Sequence, residues 1–249
     1  MSRLRQWGGS VLFTAFMFSS VPFYALIVYA CAFGSYHVRF IGVRWWIATV
    51  MFLLRKLCGL DYVVEGTEHL PEESCVVLMK HSSAWETLAQ MQIFPLQTWV
   101  LKRELMWIPF LGWALRLMRP IAINRKAGHS AVQQVIEQGK ARLEEGLWVV
   151  IFPEGTRVPA GESRRYGLGG ALLAAASNRL VVPVAHNAGE FWPRRGLLKK
   201  PGTIRVVIGE PIVAAGREPR EVNAEAQAFI EATLERLARS AREDEAPRR

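Results

Sequence analysis

No charged residue lies between Arg5 and Arg39, and no acidic residue appears before Asp61. Within that gap the run SVLFTAFMFSSVPFYALIVYACAFG, Ser10 to Gly34, is almost purely apolar. A helix rises about 1.5 Å per residue, so this run is long enough to cross a hydrocarbon layer of about 30 Å. A core helix of a water-soluble protein seldom keeps such length and purity. A signal peptide is shorter and carries a small-residue cleavage site, which is missing here. The gap therefore predicts a hydrophobic helical membrane anchor. Pro22 either kinks a spanning helix or marks the bend of a re-entrant hairpin. The next segment, RWWIATVMFLLRK, has only a short uncharged stretch between Arg44 and Arg55. Its paired tryptophans and basic flanks fit a helix lying in the membrane interface. Arg39, Arg44, Arg55 and Lys56 outnumber Arg3 and Arg5, which turns the C-terminal side toward the cytoplasm.

Charge narrows the partners. The formal net charge is +9, and before residue 217 there are 24 Lys and Arg against 14 Asp and Glu. Such a surface suits nucleic acid, or anionic lipid headgroups and phosphorylated substrates. The uninterrupted apolar N-terminus favours lipid, no DNA-binding motif is present, and no nucleic-acid partner is expected. Cys31, Cys58 and Cys75 are odd in number and form no CxxC pair, so neither a disulfide scaffold nor a metal site is expected.

From Asp61 the pattern becomes that of an α/β domain. DYVVEG, SCVVLMK, QTWVLKREL, RPIAINR, LWVVIFPEG, RLVVPVAHN and TIRVVIGEP are short β-branched runs bounded by Gly, Pro or polar residues. Helical stretches separate them, most clearly GHSAVQQVIEQGKARLEEG, where Val132, Val135, Ile136 and Leu143 recur near helical spacing. This alternation predicts a mixed, largely parallel sheet flanked by helices. After Pro219 an amphipathic helix carries Phe229, Ile230, Leu234 and Leu237 on one side, then breaks into the charged end SAREDEAPRR. The expected boundaries are 1–60 for the anchoring helices, 61–242 for the catalytic-sized domain and 243–249 for a charged tail.

Two constellations could carry chemistry. In LMKHSSAWETL, His81 directly follows an apolar run, at the C-terminal end of a strand where open α/β sheets place their sites. On one continuous helix, residues five apart point about 140° apart. With His81 in a turn and Glu86 on the first turn of a following helix, the carboxylate can fold back onto one imidazole nitrogen. It would then fix the tautomer and raise the basicity of the other nitrogen. Ser82 and Ser83 read as helix caps. The pair alone does not separate a general base from a histidine that merely ends a strand. In WVVIFPEGTRVPAG, an apolar strand ends in the turn Glu154-Gly155-Thr156-Arg157. Arg157 offers a planar fork for phosphate oxygens at the same sheet edge, and Glu154 could hold that guanidinium or a substrate hydroxyl. Lys102-Arg103 and Arg125 fall at further strand ends and complete a candidate phosphate cradle beside a base. No GxSxG nucleophile elbow is present, which excludes a lipase of that kind.

KHSSAWE, LKRELMWIPFLGW, IAINR, FPEGTR and VVPVAHNAGEFW occur in this order over about residues 60–212. Together they resemble the successive motifs of the glycerolipid acyltransferases, most closely the bacterial 1-acyl-sn-glycerol-3-phosphate acyltransferases. The resemblance implies a glycerol-3-phosphate acyltransferase-like α/β fold. It implies that His81 deprotonates the sn-2 hydroxyl of lysophosphatidic acid, which attacks an acyl thioester without a covalent acyl-enzyme. Acyl-CoA or acyl-acyl carrier protein would be the co-substrate, with no further cofactor, and the product would be phosphatidic acid for phospholipid synthesis. By motif match Glu86 orients His81. Glu154, Gly155, Thr156 and Arg157 belong to the acceptor site, Lys102 and Arg125 help hold the phosphate, and Pro183 lies near the pocket wall. The bacterial inner membrane, with the catalytic domain on its cytoplasmic face, is the implied location. Another lysolipid, such as lyso-ornithine lipid, is the alternative acceptor. Two positions depart from the pattern: Glu86 stands where the family usually has Asp, and Tyr166-Gly167 where related chains often have Tyr-Lys, with Arg164 and Arg165 nearby.

Overall fold

Each of the seven β-branched runs becomes a strand of one sheet: β1 (Leu60–Glu65), β2 (Val76–Met79), β3 (Gln97–Lys102), β4 (Ile121–Ile123), β5 (Trp148–Ile151), β6 (Val181–His186) and β7 (Gly202–Ile208). The computed structural model describes residues 3–124 and 127–245. In space the strands run β1-β7-β6-β2-β5-β3-β4. Every neighbouring pair is parallel except β6 and β7. The mixed, largely parallel sheet expected from the sequence is therefore what forms. Five strands, β6, β2, β5, β3 and β4, consequently end at one edge.

Strand β2 is buried on both faces, as parallel strands covered by helices are. Its side chains alternate. Val76 and Leu78 join Val149, Ile151, Val135, Leu143 and Val222 on one face, under α5 (His129–Glu144), α6 (Gly169–Ser177) and α8 (Pro219–Glu245). Val77 and Met79 face the other side, where the covering helices are α3 (Trp85–Ile93) and the two N-terminal helices, α1 (Arg3–Ala30) and α2 (Tyr36–Cys58).

Among the described residues α1 and α2 are the helices long and apolar enough to cross a membrane. Pro22 does not mark a hairpin bend, because α1 runs through it to Ala30. The chain reverses at 31–35 instead, and the Ser35 hydroxyl accepts the Val38 N–H to start α2. In α1, Leu4, Trp7, Val11, Phe18, Leu26 and Tyr29 form an exposed stripe at helical spacing, while Phe13, Ala25 and Val28 are buried. The tryptophan pair of α2 splits the same way. Trp45 is exposed, and Trp46 turns inward to donate to the Ser20 hydroxyl at 3.0 Å. At the other end of the chain, α8 continues to Glu245 instead of breaking near Ser240.

Candidate active site

Lys80 and His81 leave the C-terminal end of β2, between β6 and β5 on that five-strand edge. Strand β5 lies beside β2 with Leu78 opposite Ile151, so the residues just after each strand also fall together. Glu154 consequently reaches across, pairing one carboxylate oxygen with the buried Lys80 amine. Its other oxygen accepts the His81 backbone N–H at 2.6 Å. The Lys80–His81 peptide is thus clamped before the His81 side chain makes any contact.

The imidazole is fixed in turn by two neighbours. Its ring stacks on Phe152, 4.3 Å between centroids, and Nδ1 donates to Glu86 Oε1 at 2.8 Å. Glu86 sits on the first turn of α3, so the fold-back geometry expected from the sequence is present. The same Oε1 accepts the backbone N–H groups of Ser82, at 2.9 Å, and Ser83, at 2.8 Å. Ser83 Oγ accepts the Trp85 N–H and donates to the Trp192 carbonyl at 2.6 Å, so this serine caps the helix and ties down the turn. Burial alone would push the Glu86 carboxyl upward. The His81 hydrogen bond and the Ser83 amide outweigh it and hold the group below the usual carboxylate range. Glu86 is therefore an anion at neutral pH. With Nδ1 protonated, Nε2 is the basic nitrogen that His81 brings to the cavity it lines.

Beneath this pair lies a second, fully buried histidine. His186 Nε2 donates to the Lys80 carbonyl at 2.8 Å, while Nδ1 accepts the Ala188 N–H at 3.2 Å. Only the neutral ring satisfies both partners, and burial lowers its pKa accordingly. It stands 3.9 Å from Glu86 Oε2.

The cavity in front of His81 has a volume of about 460 Å³. Its deep part is apolar, built by Ala25 and Val28 of α1, Ile47 of α2, Met91 of α3, and Leu115 of the short helix α4 (Leu111–Leu117). Its mouth is basic, with Lys102, Arg157 and Arg194 beside Thr156. Lys102 also pairs with Glu104 at 3.2 Å, and Arg194 donates to the Arg157 carbonyl at 3.1 Å.

The structure therefore brings together His81, Glu86, Lys102, Thr156 and Arg157. Glu154 is close by but does not line the cavity, since Lys80 and the His81 amide occupy its carboxylate. Gly155 is an exposed turn residue with φ of 67°, the left-handed conformation glycine favours. Pro183, Arg164 and Arg165 are not among the lining residues. Arg125 lies outside the described residues. Lys80, Phe152, His186 and Arg194 were not singled out by the sequence. The first three lie within the motifs and Arg194 two residues past the last of them, yet only the folded chain shows which of them face the site.

Residues 61–187 match the protein-family model described as acyltransferase. Over 199 residues the chain is 45% identical to the 1-acyl-sn-glycerol-3-phosphate acyltransferase of Pseudomonas aeruginosa, covering 79% of this chain and 77% of that one. The protein of the same name from Borreliella burgdorferi is 32% identical over 55% of each chain. Human 1-acyl-sn-glycerol-3-phosphate acyltransferase alpha is 28% identical over 69% of this chain and 61% of its own length. Among solved structures, the 1-acyl-sn-glycerophosphate (LPA) acyltransferase PlsC from Thermotoga maritima matches with a TM-score of 0.80. That match covers 96% of this chain and 98% of the other at 21% identity, a likeness of fold.

Proposed function

The chain belongs to the acyltransferase family, and from that premise we propose that it acylates the sn-2 hydroxyl of 1-acyl-sn-glycerol-3-phosphate, forming phosphatidic acid. The donor is a thioester, acyl-CoA or acyl-acyl carrier protein. The observation that carries this reading is the His81–Glu86 pair at the basic mouth of an apolar cavity. His81 Nε2 takes the proton as the acceptor hydroxyl attacks the thioester carbonyl. The tetrahedral intermediate then expels the thiolate, which recovers the proton from the imidazolium. Glu86 holds the imidazole in the productive tautomer and stabilises its charged form. Arg157 and Lys102, with Arg125 by motif match, bind the acceptor phosphate, and the apolar depth takes an acyl chain. Both hydrogen-bonding roles of the Ser83 hydroxyl are spent on backbone groups, which favours direct transfer over an acyl-serine intermediate.

The protein works on one face of the membrane, which we assign to the cytoplasmic face of a bacterial inner membrane. Helix α1 is about 42 Å long at 1.5 Å per residue. Near its start Gln6 donates to the Lys199 carbonyl, and near its end Ala25 and Val28 wall the cavity. A helix crossing the bilayer upright could not touch the same domain at both ends. An α1–α2 hairpin laid in one leaflet, exposed stripe toward lipid, accommodates these contacts.

Acyl transfer by purified membranes tests the reading, with lysophosphatidic acid compared against a panel of other lysolipids. His81→Ala should lower kcat by about 10²–10⁴-fold, the usual contribution of a general base. Arg157→Ala should raise the KM for lysophosphatidic acid far more than that for a lysolipid without a phosphomonoester. Full activity in His81→Ala would refute the general-base role, and an Arg157→Ala enzyme equal to wild type would refute the phosphate assignment.

A further inference from the structure

The segment Leu105–Trp113 joins a 3₁₀ turn (Arg103–Trp107) to α4 and leaves a dense apolar patch uncovered. Leu105, Trp107, Ile108, Phe110 and Trp113 are all exposed, Trp107 to 71%. Single exposed apolar residues are ordinary, whereas five within nine residues make a contiguous patch of the kind that marks an interaction surface. The backbone is held to this display. Phe110 has φ 61° and ψ −60°, and the Leu111 N–H bonds to the Pro109 carbonyl at 2.7 Å. That is the strained form of γ-turn, rare for a bulky residue. Gly112 then packs against Met106 so closely that a Cβ would lie 2.3 Å from its carbonyl oxygen. Strain of this sort persists where the surroundings enforce it, commonly at functional sites.

The patch is continuous with the lipid-facing stripe of α1. Phe110 and Trp113 border a hollow of about 350 Å³ together with Leu26 and Tyr29. Exposed Lys102, Arg103 and Arg116 flank the segment, the arrangement of basic and tryptophan side chains that suits the headgroup level of a bilayer. The inner side of the same segment walls the cavity, through Leu105 and Leu111. We propose that Leu105–Trp113 is a third membrane-inserting element, which enters the same leaflet as α1 and α2 and seats the mouth of the His81 cavity at the lipid surface. The occupant is bilayer lipid. The consequence for substrate entry rests on the acyltransferase reading; the insertion itself does not.

Full-length protein is reconstituted into phosphatidylethanolamine–phosphatidylglycerol vesicles whose acyl chains are brominated, and tryptophan quenching is compared between wild type and Trp107→Phe. Insertion predicts that the emission lost with Trp107 is quenchable emission, so the quenched fraction falls. An unchanged or larger quenched fraction would overturn the proposal, and this readout needs no enzymatic activity. In parallel, Trp107→Glu/Phe110→Glu should lower activity on acceptor embedded in vesicles by about tenfold or more, given the transfer free energy of two large apolar side chains. Activity in detergent micelles, where enzyme and acceptor share the aggregate, should stay within about twofold of wild type on the same estimate. Equal losses in both media would reduce the segment to a structural wall. A wild-type dimer that the two glutamates dissociate, without lipid quenching, would assign the patch to a second copy of the chain and overturn insertion.

Discussion

One oxygen of Glu86 accepts from His81 Nδ1 and from the Ser82 and Ser83 amides, while its other oxygen has no hydrogen-bond partner among the described residues. The carboxylate thus does two separable things. It organises the turn by collecting backbone donors, which any acceptor oxygen could do, and it offers negative charge to an imidazolium, which only an anion can do. Glu86→Gln separates them. An amide oxygen keeps the turn and the tautomer but stabilises the protonated ring far less, so kcat should drop by about 10²–10⁴-fold while KM and thermal stability change little. A pre-steady-state assay beside a melting curve checks this, and equal loss of stability and kcat would mean that Glu86 only props up the turn. The His81–Glu86 contact was legible in the sequence because both partners lie within one local turn. Glu154 was harder to read. Its neighbour Arg157 suggested itself as a partner, but the β2–β5 register hands the carboxylate to Lys80 and the His81 amide. Pairing between strands more than seventy residues apart leaves no mark in a single sequence.

At the level of elements, α1 is fastened to the segment after β6 by a buried lysine held by oxygens and aromatic rings. Lys199 is buried, with its amine bonded to Thr14 Oγ1 and the Leu197 carbonyl. The amine also lies 5.2 Å from the Phe13 ring centroid and 4.8 Å from that of Trp192. Two aromatic faces and two oxygens partly replace its hydration, and burial still lowers its pKa. The Trp192 carbonyl accepts the Ser83 hydroxyl, so the clamp on α1 and the His81 turn share one segment. Lys199→Ala empties a buried site at this junction and should cost about 2–5 kcal/mol, as large-to-small core substitutions do. Thermal unfolding in detergent measures it, together with faster proteolytic cleavage in the 31–35 turn as α1 loosens. A melting curve superimposable on wild type would show that α1 is held elsewhere. The strands were readable because β-branched runs between turn residues leave few alternatives. The reversal at 31–35 was not, because Pro22 left both a kinked helix and a hairpin bend open, and a proline is tolerated in a membrane helix whose neighbours satisfy the freed backbone.

For the whole molecule, the question is whether residues 1–60 form a separable anchor on an independent domain 61–242. In the fold, Phe13 of α1 and Phe40, Ile47, Val50 and Leu54 of α2 belong to the same hydrophobic cluster as Val77, Met79, Trp85 and Val184. Length and apolarity announced a membrane helix but not this packing. When nearly every residue is apolar, the side facing lipid and the side facing protein carry no compositional contrast, and the inward stripe stays hidden until the partner surface is known. Burial of those five side chains contributes about 8–15 kcal/mol at roughly 1.5–3 kcal/mol each. That matches the entire net stability of a typical domain, about 5–15 kcal/mol. Residues 61–249 expressed alone should therefore expose one face of the sheet, lose the α1 and α2 walls of the cavity, and show no cooperative transition in urea. Circular dichroism against denaturant decides the matter. A sharp transition with retained acyl transfer to a short-chain acceptor would make α1 and α2 a mere tether. A chain that collapses without cooperativity would make the hairpin part of the enzyme itself, binding the membrane with its outer stripe and completing the sheet's core with its inner one.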